Sequence, residues 1–191
     1  CIRDRHVSFA YPEAGENVLT DISFKAKKGQ TIAVIGSTGS GKSTLINLIP
    51  RYYDVTKGSV KVDGVDVRDM TQKELRDKLG YVPQKGVLFS GTIDSNIRYG
   101  KPEITDAQVK EAAEVAQATE FIDTKPEKYE SPVSQGGTNV SGGQKQRLSI
   151  ARAIAKDPEI FIFDDSFSAL DFKTDSQLRN CLLYTSDAAD D

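Results

Sequence analysis

Residues 31–49 read TIAVIGSTGSGKSTLINLI, an apolar β-branched run, a glycine-rich turn and a second apolar run. The first run, Thr31 to Ile35, predicts a buried strand, and the second has the spacing of a helix's inner face. Strand, glycine turn and helix together form the context of a phosphate-binding loop, or P-loop. The predicted fold is therefore α/β, with a P-loop NTPase core of mainly parallel sheet and flanking helices.

The turn itself predicts a polyphosphate site. Glycines allow backbone angles and close approaches that a Cβ would block, so successive N–H groups and the helix N-terminus can surround phosphates. Lys42 is expected against the β- and γ-phosphates, and Ser43 is expected to give an oxygen to Mg²⁺. ATP and Mg²⁺ are thus the predicted ligands. The residues predicted to bind them here are Gly36, Ser37, Thr38, Gly39, Ser40, Gly41, Lys42, Ser43 and Thr44.

Composition is typical of one α/β domain. The chain has 191 residues, of which 38% are hydrophobic and 28% charged, and its formal net charge is −3. That charge gives no reason to expect a nucleic acid as partner. No stretch approaches the roughly 18 to 20 consecutive apolar residues of a membrane span. The two cysteines, Cys1 and Cys181, fit a reducing cytoplasm, and the single histidine argues against a zinc site.

The N-terminal part predicts an antiparallel β subdomain. VSFAYP (residues 7–12) and LTDISFKAKKGQ (residues 19–30) alternate apolar and polar positions. GSVKVDGVDV (residues 58–67) predicts a hairpin whose turn lies at Asp63 and Gly64.

Further along, the pattern becomes mainly helical. Thr71 and Glu74 have the spacing of a capping box at the start of a short helix. Residues from 92 to about 156 predict an inserted α-helical subdomain, apart from a Pro-, Gly- and Ser-rich loop over residues 125–140.

Both ends of the sequence look cut. The chain opens without methionine inside a predicted strand, and residues 169–180 predict the start of a helix. Residues 181–191, CLLYTSDAADD, break that helical pattern and resemble a translated sequencing adapter; a polar, frayed tail is the alternative. We therefore expect one domain over residues 1–180 that continued past Asn180, and a non-native tail over residues 181–191.

An acidic pair follows a second apolar run. EIFIF, residues 159–163, predicts a fully buried strand, and Asp164 and Asp165 come directly after it. Downstream of a P-loop this is the Walker B position, which holds Mg²⁺ directly or through water. Because neighbouring residues at a strand end point different ways, Asp164 can face the metal while Asp165 faces the γ-phosphate. The alternative is that the pair caps the next turn.

Gln84 ends another predicted strand, GYVPQ, residues 80–84. An amide at that place could contact both Mg²⁺ and the attacking water. A glutamine after Pro83 could equally be a plain loop residue.

A second glycine motif, SGGQ, predicts a second anion site. Ser141 is a good N-cap, and the helix expected after it presents free N–H groups. A helical insertion separates this site from the first, so one chain cannot readily fold both onto one phosphate. A second copy arranged head to tail can.

The order of these motifs resembles the nucleotide-binding domain of an ABC transporter. It runs GSTGSGKS, GYVPQ, VSGGQKQRLSIARAI, IFIFDD and SALD, and the match covers nearly everything from Val7 to Asn180. LFSGTIDSNIRYG resembles the exporter branch of the family, in which this region meets the membrane domain. The resemblance implies a partner membrane domain in the same full-length chain, contacted through the region around Gln84 to Gly100 at the cytoplasmic face of the membrane.

The resemblance also assigns roles to individual residues. Tyr11 matches the aromatic residue that stacks on adenine; without the family, a surface aromatic at a strand end would be the better interpretation. Asp165, Gln84 and Lys42 match catalytic positions, and Ser43, Gln84 and Asp164 match the metal site. The signature that contacts ATP on the opposing domain matches Ser141, Gly142, Gly143 and Gln144. The loop that crosses the dimer interface matches Ser168, Ala169, Leu170 and Asp171.

Two departures from the family pattern matter. The family has a glutamate as general base where this chain has Asp165, which is one methylene shorter. This resembles the degenerate half of heterodimeric exporters, so the partner expected is a second ABC subunit with that glutamate, although a homodimer remains open. The family's switch histidine is expected on a strand beyond Asn180, and His6 lies too early to replace it.

Other functional classes fit less well. A soluble ABC-type ATPase acting on DNA or ribosomes usually carries coiled-coil insertions or tandem cassettes, and neither occurs here. An unrelated P-loop kinase or GTPase would leave SGGQ and SALD unexplained.

Overall fold

The computed structural model describes residues 1–168, Leu170 and Ser176, and it divides the chain into two compact units, residues 1–79 and 80–191. The helix predicted over residues 169–180 and the tail at 181–191 lie outside the described residues, Leu170 and Ser176 apart. Within the described part, no helix is long and apolar enough to cross a membrane.

The first unit is built on a four-stranded sheet. Its strands are β1 (Ile2–Phe9), β2 (Leu19–Ala26), β3 (Lys57–Val62) and β4 (Val65–Asp66), in the order β2-β1-β3-β4. All three neighbouring pairs are antiparallel, which confirms the predicted antiparallel β subdomain. Apolar side chains of the first and third strands, among them Val7 and Val60, are buried.

The hairpin turn lies at Asp63 and Gly64, as the sequence predicts. Asp63 and Gly64 both have positive φ, 51° and 85°. This is the backbone of a tight turn that matches the twist of the strands, and Gly and Asp are among the residues that tolerate it. The unit also contains helix α1 (Lys42–Leu48) and helix α2 (Gln72–Asp77). Thr71 and Glu74 form the predicted capping box at the start of α2.

The predicted strand at Thr31–Ile35 is absent. These residues form no regular structure and all are exposed, with Ile35 92% exposed. An apolar run is buried only where other parts of the chain cover it. In the described part of the chain, no strand pairs with residues 31–35. The prediction of a buried strand here is therefore wrong for this structure.

The second unit is mainly helical. Its helices are α3 (Ile93–Ile97), α4 (Asp106–Val115), α5 (Thr119–Asp123) and α6 (Gly142–Ala155). This unit also has single turns of 3₁₀ helix at Lys128–Glu130 and Gln135–Gly137. The first unit has such a turn at Val67–Asp69. Helix α6 packs on α3 and α4 around a buried apolar cluster that includes Ile93, Ile97 and Leu148.

Two small sheets complete this part of the chain. Strand β5 (Leu79–Val82) pairs with β8 (Ile160–Phe163), and β6 (Gly91–Thr92) pairs with β7 (Pro132–Val133). The β8 strand was predicted to be fully buried, but only Ile162 is buried and Phe161 is 39% exposed. The cause differs from that at Thr31–Ile35: β8 has a paired strand, but strand pairing does not cover the face on which Phe161 lies.

Candidate functional site

The glycine loop before α1 has the backbone that the sequence requires. Gly39 and Gly41 have φ of 83° and 87°, a region that only glycine adopts freely. A Cβ on Gly36 would lie 2.5 Å from Ser40 Oγ, so a side chain at this position would displace the Ser40 hydroxyl from the loop. Gly41 is the N-cap of α1 and offers no side-chain cap, and the N-terminus of a helix attracts anions.

Lys42 folds back over this loop. Its Nζ donates to Gly36 O and Ser37 O, each at 2.7 Å. An ammonium group held by neutral carbonyl oxygens at the loop is free to exchange them for charged phosphate oxygens, which bind it more strongly. The loop and its lysine therefore fit a polyphosphate.

The side chain of Tyr11 contacts helix α1. Its hydroxyl lies 2.9 Å from Thr44 Oγ1, and Thr44 is buried in the first turn of α1. The ring stands edge-on to Phe9 and to Tyr53, with centroids 4.9 and 5.2 Å away. The structure thus brings Tyr11 to the glycine loop's helix as part of an aromatic cluster.

In the second unit the structure brings Gln84 and Asp165 together. Gln84 Nε2 donates to Asp165 Oδ2 at 3.1 Å, although 81 residues separate them in sequence. Both residues are exposed, whereas Asp164 is 8% exposed and its N–H donates to Val82 O at 3.0 Å. The two aspartates therefore differ in exposure, as expected of neighbours at a strand end.

Oxygen donors dominate this acidic site. Within the described residues no group of three or more His, Cys, Asp or Glu side chains could hold a metal ion. The carboxylate of Asp164 and the amide of Gln84 offer oxygen ligands, the type that Mg²⁺ prefers, and Mg²⁺ is usually held by few protein groups together with phosphates and waters. The residue types thus suit magnesium.

SGGQ starts helix α6 as predicted. Ser141 is the N-cap; its Oγ accepts from Gln144 N at 3.2 Å, and Gln144 Oε1 accepts from Ser141 N at 3.1 Å. The spacing Ser-x-x-Gln is that of a capping box. This pattern was recognised in the sequence at Thr71 but not at Ser141. A Cβ on Gly142 would meet nothing within 4 Å, so the start of the helix faces open space.

Sequence reasoning missed the contacts that three residues beside these motifs make. The residues are Gln146 and Arg152 on α6 and Ser166 after the acidic pair, and each donates to a backbone carbonyl of the Gln84 segment. No local pattern distinguishes them, because their partners lie more than sixty residues away.

The remaining predicted site residues are described only in part. Ser168 is exposed and its Oγ donates to Asp165 O at 2.9 Å, and Leu170 N donates to Phe167 O at 3.0 Å. Ala169 and Asp171 lie outside the described residues. The glycine loop belongs to the first unit, and Gln84, the acidic pair and SGGQ belong to the second.

Comparison with known proteins decides the family. The model of the ABC transporter family matches residues 19–168, more than half of the chain. This chain belongs to the ABC transporter family. Within that family it corresponds to an ATP-binding domain, as the motif order implied.

Its relatives are longer proteins. The ABC domain is 47% identical over 178 residues to a Bacillus subtilis (strain 168) protein provisionally named multidrug export ATP-binding/permease protein YgaD, covering 93% of this chain and 31% of that protein. It is 46% identical over 177 residues to a similarly named Staphylococcus aureus (strain NCTC 8325 / PS 47) protein, again covering 93% and 31%. The ABC domain thus spans about a third of the length of these relatives.

A solved structure has the same fold. It is a bacterial Atm1-family ABC exporter with ATP bound, which superimposes with a TM-score of 0.92 at 37% identity and covers 97% of the ABC domain and 32% of its own chain.

Proposed function

We propose that this chain is the ATP-binding and ATP-hydrolysing domain of an ABC exporter, and that it drives transport by ATP-dependent, head-to-tail dimerisation. The observation that carries the proposal is the glycine loop over which Lys42 Nζ lies 2.7 Å from two loop carbonyls. The names of the relatives, which describe multidrug export proteins, support the exporter branch. On this proposal residues 1–180 form one domain, a P-loop core of mainly parallel sheet with a helical subdomain over about 92–156.

Each motif then has a chemical role. Lys42 and the loop N–H groups bind the phosphates, and Tyr11 stacks on the adenine. Ser43, Gln84 and Asp164 would hold Mg²⁺, which would supply positive charge to the transferred phosphoryl group. Gln84 and Asp165 act on the attacking water, and their 3.1 Å hydrogen bond supports a shared task.

SGGQ acts on the facing subunit. The N-terminus of α6 carries free N–H groups, Ser141 is held in place by the capping box, and the space at Gly142 is open. A helix start of this kind attracts phosphate oxygens. SGGQ therefore completes the ATP site of the facing subunit, and residues 168–171 follow the same interface.

This chain's own site turns over slowly. The carboxylate of Asp165 ends one methylene short of the family's glutamate, and a misplacement of about 1 Å can cost on the order of 10²-fold in rate. Its Oδ2 also accepts a hydrogen bond from Gln84, so a water must compete with Gln84 for that oxygen. We therefore propose a heterodimer in which the partner supplies a glutamate and this chain's SGGQ completes the competent site.

The membrane domain of the full-length protein meets the segment from Gln84 to Gly100, at the cytoplasmic face. This segment exposes a set of large apolar side chains on one unit: Val87 is 50%, Phe89 40% and Tyr99 55% exposed. The two rings are stacked with centroids 4.1 Å apart. Exposed apolar clusters of this kind are typical of interaction surfaces.

Cross-linking tests the proposal in the full-length protein, with native cysteines replaced. Ser40→Cys and Ser141→Cys are introduced together, and disulfide formation is measured with and without ATP and Mg²⁺. A homodimer gives an ATP-dependent cross-link between two copies, and a heterodimer gives cross-links only to matching cysteines in the partner. The control pairs Ser40→Cys with Lys110→Cys, an exposed position on α4. ATP-independent cross-links, or none to either subunit, would contradict head-to-tail dimerisation.

A further inference from the structure

Gln146 is a buried polar side chain on α6 to which the proposed function gives no task. It is 1% exposed, and its Nε2 donates to Pro83 O at 3.1 Å. Burying an amide costs free energy unless its hydrogen bonds are made. An apolar side chain of the same size could fill this space, but it could not make the hydrogen bond to Pro83.

A second buried side chain holds the neighbouring carbonyl. Ser166 is 0% exposed, and its Oγ donates to Val82 O at 2.7 Å and lies 3.3 Å from Pro83 O. Strand β5 ends at Val82, and proline has a fixed φ and no N–H to donate. The two carbonyls that precede Gln84 are thus anchored from two directions, by α6 and by the turn after the acidic pair.

The loop beyond Gln84 continues along the same helix. A Cβ on Gly86 would lie 2.7 Å from Lys145 O and 2.8 Å from Ser149 Oγ, so the loop backbone lies directly against α6. One turn further, Arg152 Nη1 donates to Val87 O at 2.8 Å. Residues three to four apart share one face of a helix, so residues 83–87 are fixed to one face of α6.

We infer that Gln146 is a positioning residue for Gln84: by holding Pro83 O it fixes the Gln84 backbone to the helix that starts with SGGQ. This inference rests on the proposed function of Gln84. Once Pro83 is anchored, the position of the Gln84 amide depends only on the backbone torsions and the side-chain rotamer of Gln84. Loss of the anchor lets the amide leave Asp165, and a displacement of about 1 Å is enough to slow the reaction.

The test replaces the amide without changing its shape. In the full-length protein, assembled with its partner subunit where it has one, Gln146→Met keeps the length of the side chain but cannot donate to Pro83. Single-turnover hydrolysis of radiolabelled ATP is measured with native Asp165 and with Asp165→Glu. We expect the rate constant of hydrolysis to fall roughly ten-fold or more while the ATP concentration giving half-maximal rate stays the same.

A double-mutant comparison separates positioning from simple loss of stability. If Gln146 acts through Gln84, Gln146→Met lowers the rate in the native background and adds nothing to Gln84→Ala. A purely structural role lowers the rate by the same factor in both backgrounds, which would overturn the inference. The matched control is Ser131→Ala, outside α6 and outside residues 83–87. Its hydroxyl is buried without a hydrogen-bond partner among the described residues, and we expect no change in rate.

Failure of this inference can be told apart from failure of the proposed function. If Lys42→Ala leaves ATP binding and hydrolysis unchanged, the assignment of the ATP site is wrong. If Lys42→Ala abolishes them while Gln146→Met behaves like Ser131→Ala, only the role of Gln146 is wrong.

Discussion

Asp4 is a carboxylate buried in strand β1. It lies in the middle of β1, opposite Phe24 of β2 and Val60 of β3, and is 2% exposed. Both of its oxygens are buried and lack a hydrogen-bond partner in the described residues. Burial disfavours the charged form and raises the pKa of Asp4 from 3.8 to about 7.

The raised pKa predicts how Asp4 affects stability. The folded chain binds the proton more tightly than the unfolded chain, so the contribution of Asp4 is most favourable below pH 4 and is lost as the pH rises to about 7. The loss is on the order of 4 kcal/mol at most. Asp4→Asn should therefore gain free energy of unfolding relative to the native chain over this pH range, measured by urea unfolding.

Glu16→Gln, at an exposed position, is the control for removing a carboxylate and should follow the native chain at every pH. A constant difference between Asp4→Asn and the native chain from pH 4 to pH 7 would show that Asp4 is not a buried acid.

Asp165 carries the prediction that separates a slow site from a competent one. Asp165→Glu in the full-length protein moves the carboxylate outward by one methylene, and we expect single-turnover hydrolysis at this site to rise by roughly ten-fold or more. Asp165→Asn is the control, because it keeps the short side chain and removes the base. If the two variants have the same rate, the length of the carboxylate is not what limits this site.

At the scale of elements, the sequence predicts what is decided locally. The capping box at Thr71 and the turn at Asp63 and Gly64 depend on residues within a few positions of one another, and the structure confirms both. The strand at Thr31–Ile35 depends on distant backbone, and the prediction is wrong there. Gln146 and Ser166 were missed for the same reason, since their partners at Val82 and Pro83 are distant in sequence.

Two helices with the same type of N-cap allow an effect on stability to be distinguished from an effect on ATP hydrolysis. Ser141 caps α6 and Thr105 caps α4, each in a capping box with a glutamine. Replacing either with alanine should lower the free energy of unfolding by about 1 kcal/mol. Only Ser141→Ala should also slow ATP hydrolysis by the assembled full-length protein, because only that helix start is proposed to meet ATP. Equal losses of hydrolysis in both variants would mean that SGGQ acts through folding alone.

At the scale of the whole molecule, the exposed run Thr31–Ile35 is the feature that the described residues leave unexplained. Ile32, Val34 and Ile35 are 46%, 39% and 92% exposed, and a β-branched apolar run with which no strand pairs among the described residues is a template for strand pairing. The glycine loop that follows needs a fixed support to hold its shape around a phosphate. The relatives are about three times as long as this chain, and we propose that in a full-length protein backbone outside the described residues pairs with the run.

Hydrogen exchange tests whether such a cover exists. Backbone amides of residues 31–35 should exchange quickly in this chain and at least ten-fold more slowly in the full-length protein, because a paired N–H must open before it exchanges. Strand β1, which already has a neighbour on each side, is the internal reference and should be protected in both. Fast exchange at 31–35 in the full-length protein with ATP bound would mean that the glycine loop works without a paired strand behind it. The P-loop core proposed for this domain would then be wrong.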